Sequence, residues 1–323
     1  MQANNITVLI PVYNDWVSLS LMVQGIKKNL CDKKNAKVSL LFVNDCSTIK
    51  NDKEEVFEKL TPFFLSIKTI DLVKNIGHQK AIAVGLAYIA ENVKCDTVIV
   101  MDADGEDKPE HLTELVEASI RNKNKIIFAK RTKRNESIFF KFFYRIYKFI
   151  FKIFTGETIN FGNFCVIPFE KLKNVVYIPE IWIHFSGGII RSKINYTTIP
   201  LERGKRLTDK SKMNFISLIV HGLSSIAVHI EIVLARLLIL ILLLIFLSVL
   251  SIIVIVALKI FTYTAISGWT ILSVFGIFII LLQVFFTSLI LFIFILHHRT
   301  QKPFIPGMDY KYHILKIEEI GNE

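Results

Sequence analysis

From Leu237 to Leu258 the chain carries no charged residue, and from Ile260 to Leu296 it carries none again. A helix needs about 20 apolar residues to cross the hydrocarbon core of a bilayer, so each run is long enough. The second is longer than one crossing needs, which places a turn near Ser267-Gly268. The expectation is two membrane helices, about 236–258 and 270–296, joined as a hairpin. Buried core helices of a soluble protein are the alternative. The runs also explain the composition: 52% hydrophobic residues is too apolar for an ordinary soluble domain, and the excess is concentrated here.

Charge placement gives an orientation. Arg236, Arg299, Lys302, Lys311 and Lys316 flank the outer ends of the hairpin, while the link between helices carries only Lys259. Basic flanks stay on the cytosolic side. The first apolar stretch, ITVLIPVY, is too short for a signal core and lacks a basic flank. The expected arrangement is an integral protein of the inner (plasma) membrane with both ends cytosolic. Cys31, Cys46, Cys95 and Cys165 show no metal-ligand spacing and fit a reducing compartment. The net charge of +11 then points to anionic headgroups and an anionic substrate, not to nucleic acid.

Ahead of the hairpin the pattern changes. ITVLIPV (6–12), VSLLFVND (38–45), LSIKTIDL (65–72), DTVIVMD (96–102) and KIIFAKR (125–131) read as strands. Helical patterns separate them, the last opening on Pro109, a residue favoured in a first helical turn. Such alternation implies βαβ units, an α/β fold and a mainly parallel sheet. Ligands of these sheets bind beyond the carboxyl ends of strands. There the fourth strand runs into Asp102, Asp104, Glu106 and Asp107, four carboxylates in six residues. Asp102 and Asp104 fall on one side of an extended segment, where they can share a divalent cation with phosphate oxygens and water. A solvated acidic turn is the competing reading. Asp107, just ahead of Pro109, reads as a helix N-cap.

IPVYND (10–15), FVNDCST (42–48), NIGHQKAIAVGL (75–86) and VMDADGEDKPE (100–110), in this order, resemble glycosyltransferase family 2. They are most similar to its membrane-anchored branch of dolichyl-phosphate mannose synthases and bacterial polyprenyl-phosphate glycosyltransferases. KRTKRNES (130–137) and the apolar hairpin match that branch too. The likeness covers about residues 6–212. It implies a GT-A type, Rossmann-like fold and an inverting, metal-dependent hexosyltransferase. The nucleotide-sugar donor would be a UDP- or GDP-sugar, the cofactor Mg2+ or Mn2+, and the acceptor a polyprenyl-linked lipid. A homo-oligomer is a further possibility.

The resemblance also assigns residues. Pro11, Tyr13 and Asp15 would hold the nucleotide base and ribose, with Asp45 on the base. Asp102 and Asp104 would bind the metal and the donor diphosphate, with Glu106 a third metal ligand or a surface acid. Gly77, His78 and Gln79, opening a helix, would meet phosphate or sugar oxygens. Arg131 and Arg134 would close on the phosphates. Arg203, Ser211 and Lys212, in RGKRLTDKSKM (203–213), would bind the pyrophosphate. Arg206 reads equally as part of a lipid-binding patch. One departure is Asn163-Phe164-Cys165, where many polyprenyl-phosphate enzymes read D-F-R. The acid nearest the acceptor is thus Asn163, which leaves a sugar hydroxyl of a lipid-linked glycan open as acceptor. A hydroxyl needs a base, and Glu180 is the candidate. A membrane-anchored nucleotide-sugar-binding scaffold without catalysis is the alternative from another class.

In IFFKFFYRIYKFIFKIF (138–154), Lys141, Arg145, Lys148 and Lys152 recur at spacings of 4, 3 and 4 opposite a Phe- and Ile-rich face. A basic amphipathic helix of this kind lies in the headgroup plane. The expected boundaries are a cytosolic catalytic domain over 1–212, a second interfacial helix over 213–232, the hairpin over 233–298 and a cytosolic tail over 299–323.

Overall fold

The computed structural model describes residues 5–32, 34, 36–131, 138–158, 160–207, 215–261 and 268–321. All five expected strands form: β1 (Asn5–Val12), β2 (Lys37–Asn44), β3 (Ser66–Leu72), β4 (Thr97–Val100) and β5 (Ile126–Arg131). Between them run α1 (Trp16–Ile26), α2 (Glu54–Leu60), α3 (His78–Asn92) and α4 (Leu112–Arg121). Three more strands, β6 (Phe161–Pro168), β7 (Tyr196–Leu201) and β8 (Ile314–Glu319), complete an eight-stranded sheet in the order β7-β5-β6-β4-β1-β2-β3-β8. β1 pairs parallel with β2 and with β4, β2 with β3, and β5 with β7. β6 runs antiparallel to β4 and β5, and β8 antiparallel to β3. The sheet is mixed and mainly parallel, as the alternation implies.

Period-two alternation sends each strand's side chains into two cores. In β1, Leu9 joins a layer with Val43, Ile82, Leu86 and Phe185, while Val8 and Ile10 join Leu19, Met22 and Leu115 on the other face. Covered on both faces, β1 reads as a near-continuous apolar run. The chain leaves β1 towards β2 and β3, then returns to β4 on β1's other side. That reversal is a topological switch point, where open α/β sheets place their ligand crevice.

The expected tail over 299–323 carries β8, which pairs along β3, and Phe304–Glu323 fall in one compact unit with Met1–Phe149 and Thr158–Val228. Tyr310, only 2% exposed, belongs to the core on the α3 side. Its hydroxyl donates to Glu91 (2.7 Å) and accepts from the Asn92 amide (3.0 Å). Burial and the neighbouring Glu91 push its pKa up to about 12.

The second compact unit comprises Ile150–Glu157 and His229–Pro303. The next helices after β5 are α5 (Ile138–Thr155), whose end belongs to this unit, α6 (Phe169–Val175), α7 (Phe185–Arg191) and α8 (Phe215–Ala227). The helix expected over 213–232 thus ends at Ala227, and residues 230–232 already belong to α9. In this unit α9 (Ile230–Phe261) packs against α10 (Trp269–Thr300). Both are long and apolar enough to cross a membrane. Leu242, Phe246, Leu272 and Ile290 lie open along them. Contiguous apolar surface of this extent is unstable in water and suits hydrocarbon. Gly156 (φ 82°) follows the last turn of α5, and Arg236 donates to the Ile153 carbonyl, satisfying helix-end groups. On α5, Ile146, Phe149, Ile150 and Ile153 are exposed.

Candidate active site

Beyond the carboxyl ends of β1, β2 and β4 the loops are tied to one another by hydrogen bonds. Asn14, in the left-handed region at φ 57°, is the first buckle. Its backbone N–H donates to Ser47 Oγ (2.9 Å), its Oδ1 accepts from Ile49 N–H (2.9 Å), and its Nδ2 donates to Thr48 Oγ1 (3.0 Å). Asn tolerates that conformation better than most residues, so IPVYND and FVNDCST are held together by a residue that sequence reading passed over. Tyr13 beside it is exposed, Asp15 precedes α1, and Pro11 is buried in β1.

Asp45 forms the next tie. It is buried, and its two carboxylate oxygens accept from the backbone N–H groups of Ile76 (2.7 Å) and Gly77 (2.9 Å). Gly77 sits at φ 93°, which favours glycine. Asp45 thereby sets the start of α3 by holding the turn into it. Burial raises its pKa, and the two N–H groups, His78 and Lys80 act in the opposite direction. Gln79 likewise has a structural partner: its Oε1 accepts from Phe185 N–H (2.7 Å), fixing the start of α7.

His78 faces the acidic loop. Its Nε2 lies 3.0 Å from Asp102 Oδ1 and 3.2 Å from the Asn163 side-chain amide. Burial works against the charged imidazole, but Asp102, with Asp104 and Asp107 behind it, outweighs that effect and raises the His78 pKa. Asp107 is not a helix cap. It accepts from Asp102 N–H (3.0 Å) and closes the 102–107 loop, while Lys108 precedes the turn that Pro109 opens. Asp104 Oδ1 accepts from Glu106 N–H (3.0 Å). Its pKa is raised by burial, then by Asp102 and Glu106, against the pull of the Glu106 N–H and Arg206.

Two arginines meet this cluster from the segment after β7. Arg206 donates from its guanidinium to Asp104 Oδ2 (2.7 Å) and approaches Glu106 Oε1 (3.5 Å), and Arg203 pairs with Glu106. Among the described residues no group of three His, Cys, Asp or Glu side chains forms a ready metal cage. Glu106, expected as a third ligand or a surface acid, is engaged by the two arginines. Asp102 and Asp104 still offer hard oxygen donors. The pair fits Mg2+ or Mn2+ bound by two carboxylates together with substrate phosphate and water.

Glu180 Oε1 is ion-paired with Arg191 Nε (2.9 Å). Arg131 ends β5. Arg134, Ser211 and Lys212 lie outside the described residues.

The family model described as glycosyl transferase family 2 matches residues 7–180, more than half of the chain. The uncharacterized glycosyltransferase YkcC of Bacillus subtilis is 26% identical over 295 residues, 89% of this chain and 85% of that protein. The undecaprenyl-phosphate 4-deoxy-4-formamido-L-arabinose transferase of Photorhabdus laumondii is 26% identical over 159 residues. That match takes in 49% of this chain and just 47% of the transferase. Among solved structures, a glucosyl-3-phosphoglycerate synthase from Mycobacterium tuberculosis in complex with phosphoglyceric acid is similar over 71% of this chain and 80% of its own. Its TM-score is 0.49 at 14% identity.

Proposed function

The chain belongs to glycosyltransferase family 2, and from that premise we propose that it moves a sugar from a UDP- or GDP-sugar to polyprenyl phosphate at the inner membrane. The observation that carries the reading is the acidic loop Asp102–Asp107 at the switch-point edge, faced by Arg203 and Arg206, in a chain with two helices of membrane-crossing length. Asp102 and Asp104 would hold Mg2+ or Mn2+, which would supply Lewis-acid neutralisation at the diphosphate. Asn14, Tyr13 and the 45–49 loop cradle the nucleoside. His78 braces Asp102, and the arginines add positive charge at the diphosphate. The acceptor attacks the anomeric carbon from the face opposite the leaving group, with inversion. The basic outer flanks of the hairpin support a cytosolic catalytic side.

The ion pair of Glu180 supports one of the two acceptors over the other. A sugar hydroxyl requires a base, but Glu180 is committed to Arg191. A phosphate oxygen is already anionic and requires none, which favours polyprenyl phosphate. The test is nucleoside diphosphate release from labelled UDP- and GDP-sugars by detergent-purified protein. Release that depends on added undecaprenyl phosphate, stops with EDTA and returns with Mn2+ supports the reading. Nucleotide that binds and is never released, whatever lipid is added, makes the chain a scaffold.

The cysteines give an independent check on the donor site. Cys46, between Asp45 and Ser47, is the one exposed cysteine of the four. Burial pushes the Cys31 pKa up to about 11 and raises those of Cys95 and Cys165. Thiolate is the reacting form, so iodoacetamide at pH 8 labels Cys46 first. Adding UDP or GDP with Mn2+ slows that labelling severalfold, read by peptide mass spectrometry. Labelling unchanged by either nucleotide places the donor away from the β2 loop.

A further inference from the structure

Residues 202–207 lie across the acidic loop as a strap. Two backbone hydrogen bonds fix it: Gly204 N–H donates to the Glu106 carbonyl (2.8 Å), and Leu207 N–H donates to the Asp104 carbonyl (3.0 Å). His111 Nε2 lies 3.1 Å from the Glu202 carbonyl. The contact is close enough to need glycine: a Cβ on Gly204 would stand 2.3 Å from the Gly105 carbonyl oxygen. On Gly105, at φ 85°, a Cβ would meet the Leu207 side chain at 2.4 Å. This backbone seat delivers Arg206 to Asp104 and Arg203 to Glu106, about 100 residues away in sequence. Two guanidinium groups bring two positive charges to carboxylates that need a counter-charge, and a divalent cation brings the same.

We infer that the 202–207 strap is a built-in competitor for the cation: without metal, Arg206 occupies Asp104, and metal binding requires it to leave. The inference rests on the metal role of Asp102 and Asp104 given above. It makes strap release a step that precedes productive donor binding and keeps the carboxylate site neutralised while it waits. Affinity for metal is then reduced by the fraction of molecules in which the strap is seated.

The test uses the full chain in detergent without nucleotide, and binding of Mn2+ read by loss of the free-ion electron paramagnetic resonance signal. Arg206→Ala is expected to bind Mn2+ about tenfold more tightly than the native protein, by removal of that seated fraction. Arg206→Lys, which keeps the charge, falls between them. Trypsin cleavage after Lys205, an exposed residue, gives a readout that needs no enzyme turnover. Mn2+ should speed it in the native protein, and Asp104→Ala should show fast cleavage without Mn2+. Mn2+ binding that depends on Asp104 yet is equal or weaker in Arg206→Ala overturns the strap inference and leaves the metal reading standing. No Mn2+ binding in any variant, with cleavage indifferent to both Mn2+ and Asp104→Ala, overturns both.

Discussion

Asp104→Asn removes sugar transfer by about a thousandfold in kcat/KM, the scale of losing one electrostatic partner of a developing charge in a dry site. The amide is nearly isosteric and can still accept from Glu106 N–H through its oxygen. What it lacks is the negative charge that the cation and, in its absence, Arg206 require. Stability should respond quite differently. Burial raises the Asp104 pKa, so the folded protein holds that carboxylate's charge at a cost, while the Arg206 pair offsets it. Removing the charge also relieves its repulsion by Asp102 and Glu106, and Arg206 keeps Glu106 as a partner, so no guanidinium is stranded. The unfolding midpoint of the variant therefore moves little while activity disappears. A variant that loses activity only in proportion to its loss of folded protein would make Asp104 a structural residue.

Tyr310→Ala destabilises the sheet-bearing unit by about 3–5 kcal/mol, the usual cost of emptying a large buried aromatic site. Tyr310 is fully enclosed against α3, and its hydroxyl serves both Glu91 and Asn92. Its neighbours on the returning tail reinforce it. Phe304 stacks on Trp182 with ring centroids 3.9 Å apart, and His313 lies 4.9 Å from the same indole. Tyr310→Phe keeps the ring and loses the hydroxyl bonds, a cost of about 1 kcal/mol. The measurement is chemical denaturation followed by near-UV circular dichroism in detergent. Equal effects of the two substitutions would mean that hydrogen bonding, not ring burial, seats the tail.

The parts of this molecule written in local pattern could be read before the fold was known. The β/α alternation, the uncharged helical runs and Asp102-x-Asp104 at a strand end each depend on neighbours a few residues apart. Features made by distant pairing could not be read. ILKIEE (314–319) is short and carries two glutamates, so it looks like a tail, and only its partner β3 makes it an edge strand of the kind that charge protects. Arg206 meets Asp104 across 102 residues, and nothing in GKRLT distinguishes a strap from a basic linker. Asp107 looks like a helix cap in the sequence, but its carboxylate accepts from Asp102 N–H and closes the loop, because a buried loop must satisfy its own backbone donors. Asn14 had a signal, an Asn two residues past the end of a strand, but its positive φ is a property of the folded loop.

The most direct test of the central proposal is transfer of labelled sugar from a UDP- or GDP-sugar panel to undecaprenyl phosphate by detergent-purified protein with Mn2+, run beside Asp104→Asn. Label that moves into the organic phase on undecaprenyl phosphate, and stays in the aqueous phase with the variant, is the predicted result. Label that moves only when a lipid-linked glycan replaces undecaprenyl phosphate would contradict it.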